Sequence, residues 1–215
     1  MAKDTAEAVE KIARANPLAD LLELRLDVME SFRLADMIQE ASKPVIVTYR
    51  SIKEGGHSSK DDETRARHLL NAIENKVDYV DLEYSMPPDL KHQILQNRRE
   101  SKIIASVHVL DSTPSREELD KILNGLAGMG ADIVKIVTRA QQPEDNLRVM
   151  DLIPRATEMD LNIIALCMGE EGRISRVASL LFGGYLTFAS LDQGEESADG
   201  QIPVKEMRKM LEKFS

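Results

Sequence analysis

An α/β barrel of the (β/α)8 type is the fold this sequence predicts, and three observations point to it. Short β-branched runs alternate with longer, charged segments of helical period. Several of the runs carry polar side chains on one face only. No linker, low-complexity tract or shift in composition divides the 215 residues, so residues 1–215 are expected to form one domain.

The opening stretch, MAKDTAEAVEKIARA, is charged and amphipathic and reads as a helix rather than a leader peptide. Seven strand candidates follow: Leu21–Val28, Pro44–Arg50, Val77–Tyr84, Lys102–Val109, Ala131–Thr138, Asn162–Gly169 and Tyr185–Leu191. Helical stretches lie between them, among them DETRARHLLNAIEN, PSREELDKILNGLAGMG and PEDNLRVMDLIPRATEMD. Pro114 and Pro143 are expected in first helical turns, where a missing N–H is harmless. Asp111, Ser112 and Thr113 offer cap-type oxygens just before Pro114. One helix after each strand implies parallel pairing with crossover connections.

An open doubly wound sheet and a closed barrel both satisfy that alternation, and side-chain parity separates them. Successive strand residues point to opposite faces. Glu23, Arg25 and Asp27 therefore oppose Leu22, Leu24 and Leu26, and Asp81 and Glu83 oppose Val80 and Leu82. Thr48 and Arg50 share a face, as do Ser106 and His108, and Lys135 stands alone on its face between Ile133 and Val137. Central strands of a doubly wound sheet are covered by helices on both sides and should be apolar on both. A barrel explains the asymmetry: apolar sides meet the helices, and polar sides converge toward the C-terminal ends of the strands, where such barrels keep their active sites. Eight strands are expected of this fold and seven are countable, so the first strand, before the N-terminal helix, is expected to be missing from this chain.

Composition narrows the function. A net charge of −9 disfavours nucleic acid, which requires a basic surface. It remains compatible with a small anion bound in a local cationic pocket. Cys167 is the single cysteine, so there is no intrachain disulfide and no Cys/His metal cluster, which fits a reducing compartment. No apolar run approaches the ~18 residues of a membrane helix, and the cytoplasm is the expected location. Gly169, Gly172, Gly183 and Gly184 match no nucleotide-binding spacing, so neither a cofactor nor a metal is expected.

Lys135 is the most informative position. A strand lysine commonly sits at an edge or on a solvated face. Here the flanking Ile133, Val134, Ile136 and Val137 argue for a buried central strand, where desolvation favours a neutral amine able to attack a ketone. His108 ends the preceding strand on its polar face. It reads either as a hydrogen-bonded core histidine or, with adjacent strands roughly 5 Å apart, as a proton carrier beside Lys135. Glu54 lies just past its strand and is either a solvated loop residue or the acid that orients the histidine. Glu23 and Arg25 form an inward pair, structural or substrate-binding. Arg50 and Arg176 can each grip a carboxylate with a forked guanidinium. The loop GEESADGQIP reads as a connector or as a mobile lid.

Taken together, ELRLD, TYRSIKEGG, SVH, DIVKIV, CMGEEGRISR and SADGQIP after LTFAS resemble, in this order, the type I 3-dehydroquinate dehydratases, over about Leu21 to Pro203. The resemblance implies a cofactor-free barrel lyase, often a homodimer, that converts 3-dehydroquinate to 3-dehydroshikimate in the shikimate pathway by syn elimination through an imine. It implies that Lys135 forms the imine, that His108 is the general acid/base and that Glu54 positions it. Glu23, Arg25 and Arg50 would bind substrate hydroxyls and order the site. Arg176 would clamp the carboxylate, Ser197 and Gln201 would close the lid, and Met168 and Phe188 would contact the ring. Two departures stand out. The family lid commonly reads SAPGQ, whereas Asp199 stands here in place of the proline, and the first strand is expected to be missing, which would leave a gap between Leu21–Val28 and Tyr185–Leu191 unless the start is late, the barrel closes in an unusual way or a partner supplies the edge. A class I aldolase-like barrel and a non-catalytic dehydroquinate-binding protein are the alternatives. The first would cleave a C–C bond, and the second would form an imine without product.

Overall fold

The computed structural model describes residues 1–214. Six strands form a sheet whose spatial order follows the chain: β1 (Leu22–Arg25), β2 (Val45–Thr48), β3 (Tyr79–Glu83), β4 (Lys102–His108), β5 (Ile133–Arg139) and β6 (Asn162–Met168). The pairings of β1 with β2, β2 with β3 and β5 with β6 are parallel. A doubly wound sheet reverses its strand order at a switch point. The unreversed order here is that of the barrel type, so the predicted class is borne out. No helix among the described residues is long and apolar enough to cross a membrane.

The chain forms two compact units, divided within β4. The first runs from Met1 to Ile104 and the second from Ala105 onward. In the first, α1 (Thr5–Ala15) starts at Asp4, whose carboxylate accepts from the Glu7 amide at 3.0 Å. α2 (Leu34–Glu40), α3 (Asp62–Glu74) and α4 (Pro88–Gln96) follow β1, β2 and β3 in turn. Asp61 caps α3 by accepting from Thr64 N at 2.8 Å. The first unit's core includes Leu22, Leu24, Val47, Val80, Leu69 and Ile73.

In the second unit, α5 (Arg116–Ala127) follows β4, α6 (Glu144–Met150) and α7 (Leu152–Glu158) follow β5, and α8 (Arg173–Leu181) follows β6. α9 (Val204–Leu211) ends the described fold. Ala105, Val134, Ile136, Ile163, Ala165 and Cys167 pack with Leu119, Leu123, Val149 and Ile153 into one buried cluster, and Val107 lies against it. Those strand residues face the helices. By alternation, Ser106 and His108, Lys135 and Val137, and Ile164 and Met168 belong to the opposite face.

Three local expectations are corrected. Tyr185–Leu191 is not a strand. Tyr185 N donates to Ile163 O at 2.8 Å and Ser190 N to Ile202 O at 3.1 Å, but the pairing goes no further than an isolated bridge between Ser190 and Pro203, so no ladder propagates. Leu21–Val28 shortens to the four residues of β1 because Leu26–Val28 coils into a 3-10 turn. The helix after Pro114 is capped by Ser115, which exchanges hydrogen bonds with Glu118 as a capping box, so Pro114 lies before the helix and Pro143 at the α6 cap. Thr113, expected near the cap, turns its hydroxyl instead to Thr138 Oγ1 at 2.8 Å and Arg139 O at 2.9 Å.

Candidate active site

The first unit gathers a buried ionic cluster at the C-terminal ends of β2 and β3. Arg50 donates from Nη2 to Asp81 Oδ2 at 2.8 Å and from Nη1 to Glu83 Oε1 at 3.0 Å, and Glu54 Oε2 is 3.8 Å away. Glu83 also accepts from Ser51 N at 2.9 Å and from Arg65, which reaches in from α3. Arg50 and Arg65 thus meet Asp81, Glu83 and Glu54, and Arg65 also pairs with Asp62. Burial, then repulsion from Glu83, push the Glu54 pKa up to about 7, against the hydrogen bond from Ser85 Oγ at 2.6 Å and the attraction of Arg50. Burial works against the Arg50 charge, yet Asp81 and Glu83 outweigh it and raise its pKa.

Beside this cluster, Arg25 grips Asp27 through Nε and Nη2 at 2.8 Å each. Burial opposes the Asp27 charge, but that fork, with the Arg50 and His57 amides, holds its carboxyl below the usual range. Thr48 donates to Glu23 Oε1 at 2.8 Å. Glu23, Arg25, Arg50 and Glu54 are therefore all held in polar networks of this unit.

Glu54 leads to a stability prediction. Between pH 4.5 and about 7 the folded chain holds a proton on Glu54 that the unfolded chain has released, so stability falls as pH rises through that window. A displacement from 4.5 to about 7 is worth on the order of 3 kcal/mol. Glu54→Gln is expected to match wild type near pH 4 and to gain most of that amount at pH 8, measured by urea unfolding. Parallel pH profiles for the two proteins would refute the assignment.

In the second unit Lys135 sits in the middle of β5, only 4% exposed, paired in register with Ile164 of β6. Its Nζ lies 4.3 Å from the centroid of the Phe188 ring. His108 ends β4, half-buried, and the next amide, Val109 N, donates to Val137 O at 2.8 Å. The ends of β4 and β5 are therefore neighbours, and His108 and Lys135 share the face turned away from the helix core. Met168 closes β6 on that face, opposite Arg139 in register.

Arg176, in α8, is 2% exposed. Its side-chain bonds go to neutral carbonyls, Asp199 O at 2.9 Å and Phe188 O at 3.5 Å, and its Nε finds no partner among the described residues. Burial pulls its pKa down to about 10, which leaves it a cation at neutral pH with hydrogen-bonding capacity for an anion. Ser197 and Gln201 close a small ring: Ser197 N donates to Gln201 Oε1 at 2.8 Å, and Gln201 Nε2 donates to Ser197 Oγ at 3.0 Å. Cys167 belongs to the opposite, helix-packed face, where burial pushes its thiol pKa up, so it is not set up as a nucleophile.

The second unit thus brings Lys135 to Phe188, Phe188 to Arg176, and Arg176 to the loop that carries Ser197 and Gln201. Two arginines escape the sequence reading. Arg65 looks like a solvated helix residue, although it falls on the same helical stripe as Ala66, Leu69 and Ile73. Arg139 shares the parity of Lys135 and Val137 at the strand end, which is a usable signal.

The family model described as type I 3-dehydroquinase matches residues 1–215. The 3-dehydroquinate dehydratase of Pyrococcus abyssi is 35% identical over 213 residues, which are 98% of this chain and 94% of that one. That of Thermococcus gammatolerans is 38% identical over 213 residues, again 98% and 94%. Among solved structures, the type I 3-dehydroquinate dehydratase of Clostridium difficile, with covalently modified comenic acid, aligns at TM-score 0.90 and 25% identity, covering 99% of this chain and 89% of that one. The Geobacillus kaustophilus 3-dehydroquinate dehydratase aligns at TM-score 0.86 and 28% identity, covering 97% and 85%.

Proposed function

Because the chain belongs to the type I 3-dehydroquinase family, we propose that it dehydrates 3-dehydroquinate to 3-dehydroshikimate in the shikimate pathway, by syn elimination through an imine on Lys135. The observation that carries this reading is a strand lysine buried on the face away from the helices, with an aromatic ring beside its amine.

In this reading Arg176 receives the substrate carboxylate, since among the described residues its buried guanidinium donates to neutral carbonyls. The unprotonated Lys135 amine adds to the C3 ketone, His108 delivers a proton to the carbinolamine hydroxyl and water leaves, which gives a protonated imine whose extra proton returns when the imine is hydrolysed. That cation forms at the nitrogen that lies against the Phe188 ring, whose π face attracts positive charge. The imine withdraws electrons and acidifies the C2–H bond. His108 takes the C2 proton, the C1–O bond breaks, and the same imidazole hands its proton to the departing hydroxide. Hydrolysis of the product imine restores the ketone and the lysine. The net change is the loss of one water with no change of oxidation state, so the cycle balances without a cofactor.

Glu54 takes the role of the acid that orients the histidine. Glu23, Arg25 and Arg50 order the polar end of the site and meet substrate hydroxyls. Ser197 and Gln201 close over the substrate, and Met168 and Phe188 supply apolar contacts. Residues 1–215 act as one catalytic domain, working in the cytoplasm as a homodimer.

The test is direct. Purified protein given 3-dehydroquinate is expected to generate the absorbance of a conjugated enone. Borohydride added during turnover is expected to inactivate it and to leave one adduct on the peptide containing Lys135. An adduct without product would favour the binding-protein reading, and carbon–carbon cleavage products the aldolase reading.

A further inference from the structure

We propose that Arg139 is a positioning residue for this reaction, acting through Asp199 to hold the 197–201 loop against Arg176. The proposal rests on the reading of Arg176 as the carboxylate clamp. Arg139 is the last residue of β5, four positions beyond Lys135, and its guanidinium works in two directions. Nε donates to Leu110 O at 2.7 Å, in the segment just past His108, and Nη2 donates to Asp199 Oδ2 at 2.7 Å. Asp199 is in turn held through its backbone: its carbonyl accepts from Arg176 Nη2 at 2.9 Å and from Gly169 N at 3.3 Å. The side chain of one residue therefore ties the loop to the strand that carries the imine lysine, while its carbonyl ties the loop to the anion-binding arginine.

The seam is tight. Gly200 has φ +77, and a Cβ there would stand 2.4 Å from Gly169 O, so the loop can approach the end of β6 only as glycine. Ser197 and Gln201, hydrogen-bonded to each other, flank the tethered residue on either side. The ion pair supplies a restraint on the loop that solvent and salt can weaken.

Its strength suits that purpose. The side chains of Arg139 and Asp199 are 36% and 66% exposed, so the pair is screened by solvent and weak, and it weakens further with salt. Exposed pairs of this kind shift an equilibrium roughly two- to five-fold, enough to bias a loop toward closure without locking product in.

The experiment is a double-mutant cycle of Arg139→Ala, Asp199→Ala and the double variant, read as kcat and KM for 3-dehydroquinate. The cycle removes what each single change does alone, including loss of the Leu110 contact and of the Asp199 charge near an anionic substrate. A coupling of roughly two- to five-fold is expected, carried by KM and abolished at about 1 M NaCl. The charge-swapped pair Arg139→Asp with Asp199→Arg should recover part of it. No coupling at low salt, or a coupling carried by kcat with KM unchanged, would overturn the proposal.

Should wild type show neither turnover nor adduct, the functional reading falls by itself. The same four proteins then decide the tether by cleavage with a glutamate-specific protease at Glu195 and Glu196. Equal acceleration in both single variants and the double supports the pair, and additive acceleration sinks it.

Discussion

Replacing Lys135 with methionine is expected to leave a folded protein with no measurable dehydration of 3-dehydroquinate, a loss of at least about 10⁴-fold in kcat, and no borohydride-trapped adduct. Methionine is the informative substitution. Lys135 lies 4% exposed among Ile133, Val137 and Ile164, with the Phe188 ring against its amine, so a shorter side chain would open a cavity whose destabilisation could be confused with lost chemistry. Methionine fills similar volume and keeps the contact with the aromatic ring. Circular dichroism and the melting temperature should therefore stay near wild type while catalysis disappears. Losing the nucleophile removes both the imine and the electron sink, so acid/base help at C2 has nothing to act on. An adduct that still forms on the methionine variant, or turnover within a hundredfold of wild type, would move the covalent chemistry to another residue.

The sequence showed most clearly what depends on strict alternation. Glu23 and Arg25 opposite Leu22 and Leu24, and Lys135 between Ile133 and Val137, are local patterns of period two, and the strands β1 and β5 reproduce them. What needs a partner was harder to read. Tyr185–Leu191 has the composition of a strand, but a strand exists only where a ladder is completed, and here only an isolated bridge between Ser190 and Pro203 forms. The stretch after Pro143 looks like one helix and is two, because Pro154 has no N–H for the Met150 carbonyl and the helix restarts at Leu152, with the proline in its first turn. The ionic cluster was half visible. Asp81 and Glu83 stand on β3 and Arg50 just past β2 with the right parity, and Glu54 follows in a 3-10 turn, but Arg65 enters from a helix and Ser85 from a loop, and nothing local marks them as buried partners. The contact between Arg139 and Asp199 spans sixty positions of chain, beyond the reach of any periodicity.

His108→Ala is expected to lower kcat by about 10²–10⁴-fold while leaving imine formation intact, so borohydride should trap more adduct at steady state than in wild type. The reasoning follows from the order of events. Lys135 can still meet the ketone, because water can replace His108, at a slower rate, as the proton donor that imine formation needs. Removal of the C2 proton and departure of the C1 hydroxyl need a group held at the reacting carbons. His108 is placed for that by the end of β4, where Val109 N is bonded to Val137 O at 2.8 Å and the residue before it looks out on the same face as Lys135. A core histidine would behave differently: its loss would reduce the amount of folded protein and leave kcat per folded molecule within a few-fold of wild type. Free imidazole separates the two outcomes further, since a small base admitted to the space left by the side chain should restore part of kcat and drain the accumulated adduct. A variant that stays folded, turns over within tenfold of wild type and gains nothing from imidazole would remove His108 from the reaction and leave the proton relay to be sought among the carboxyl groups.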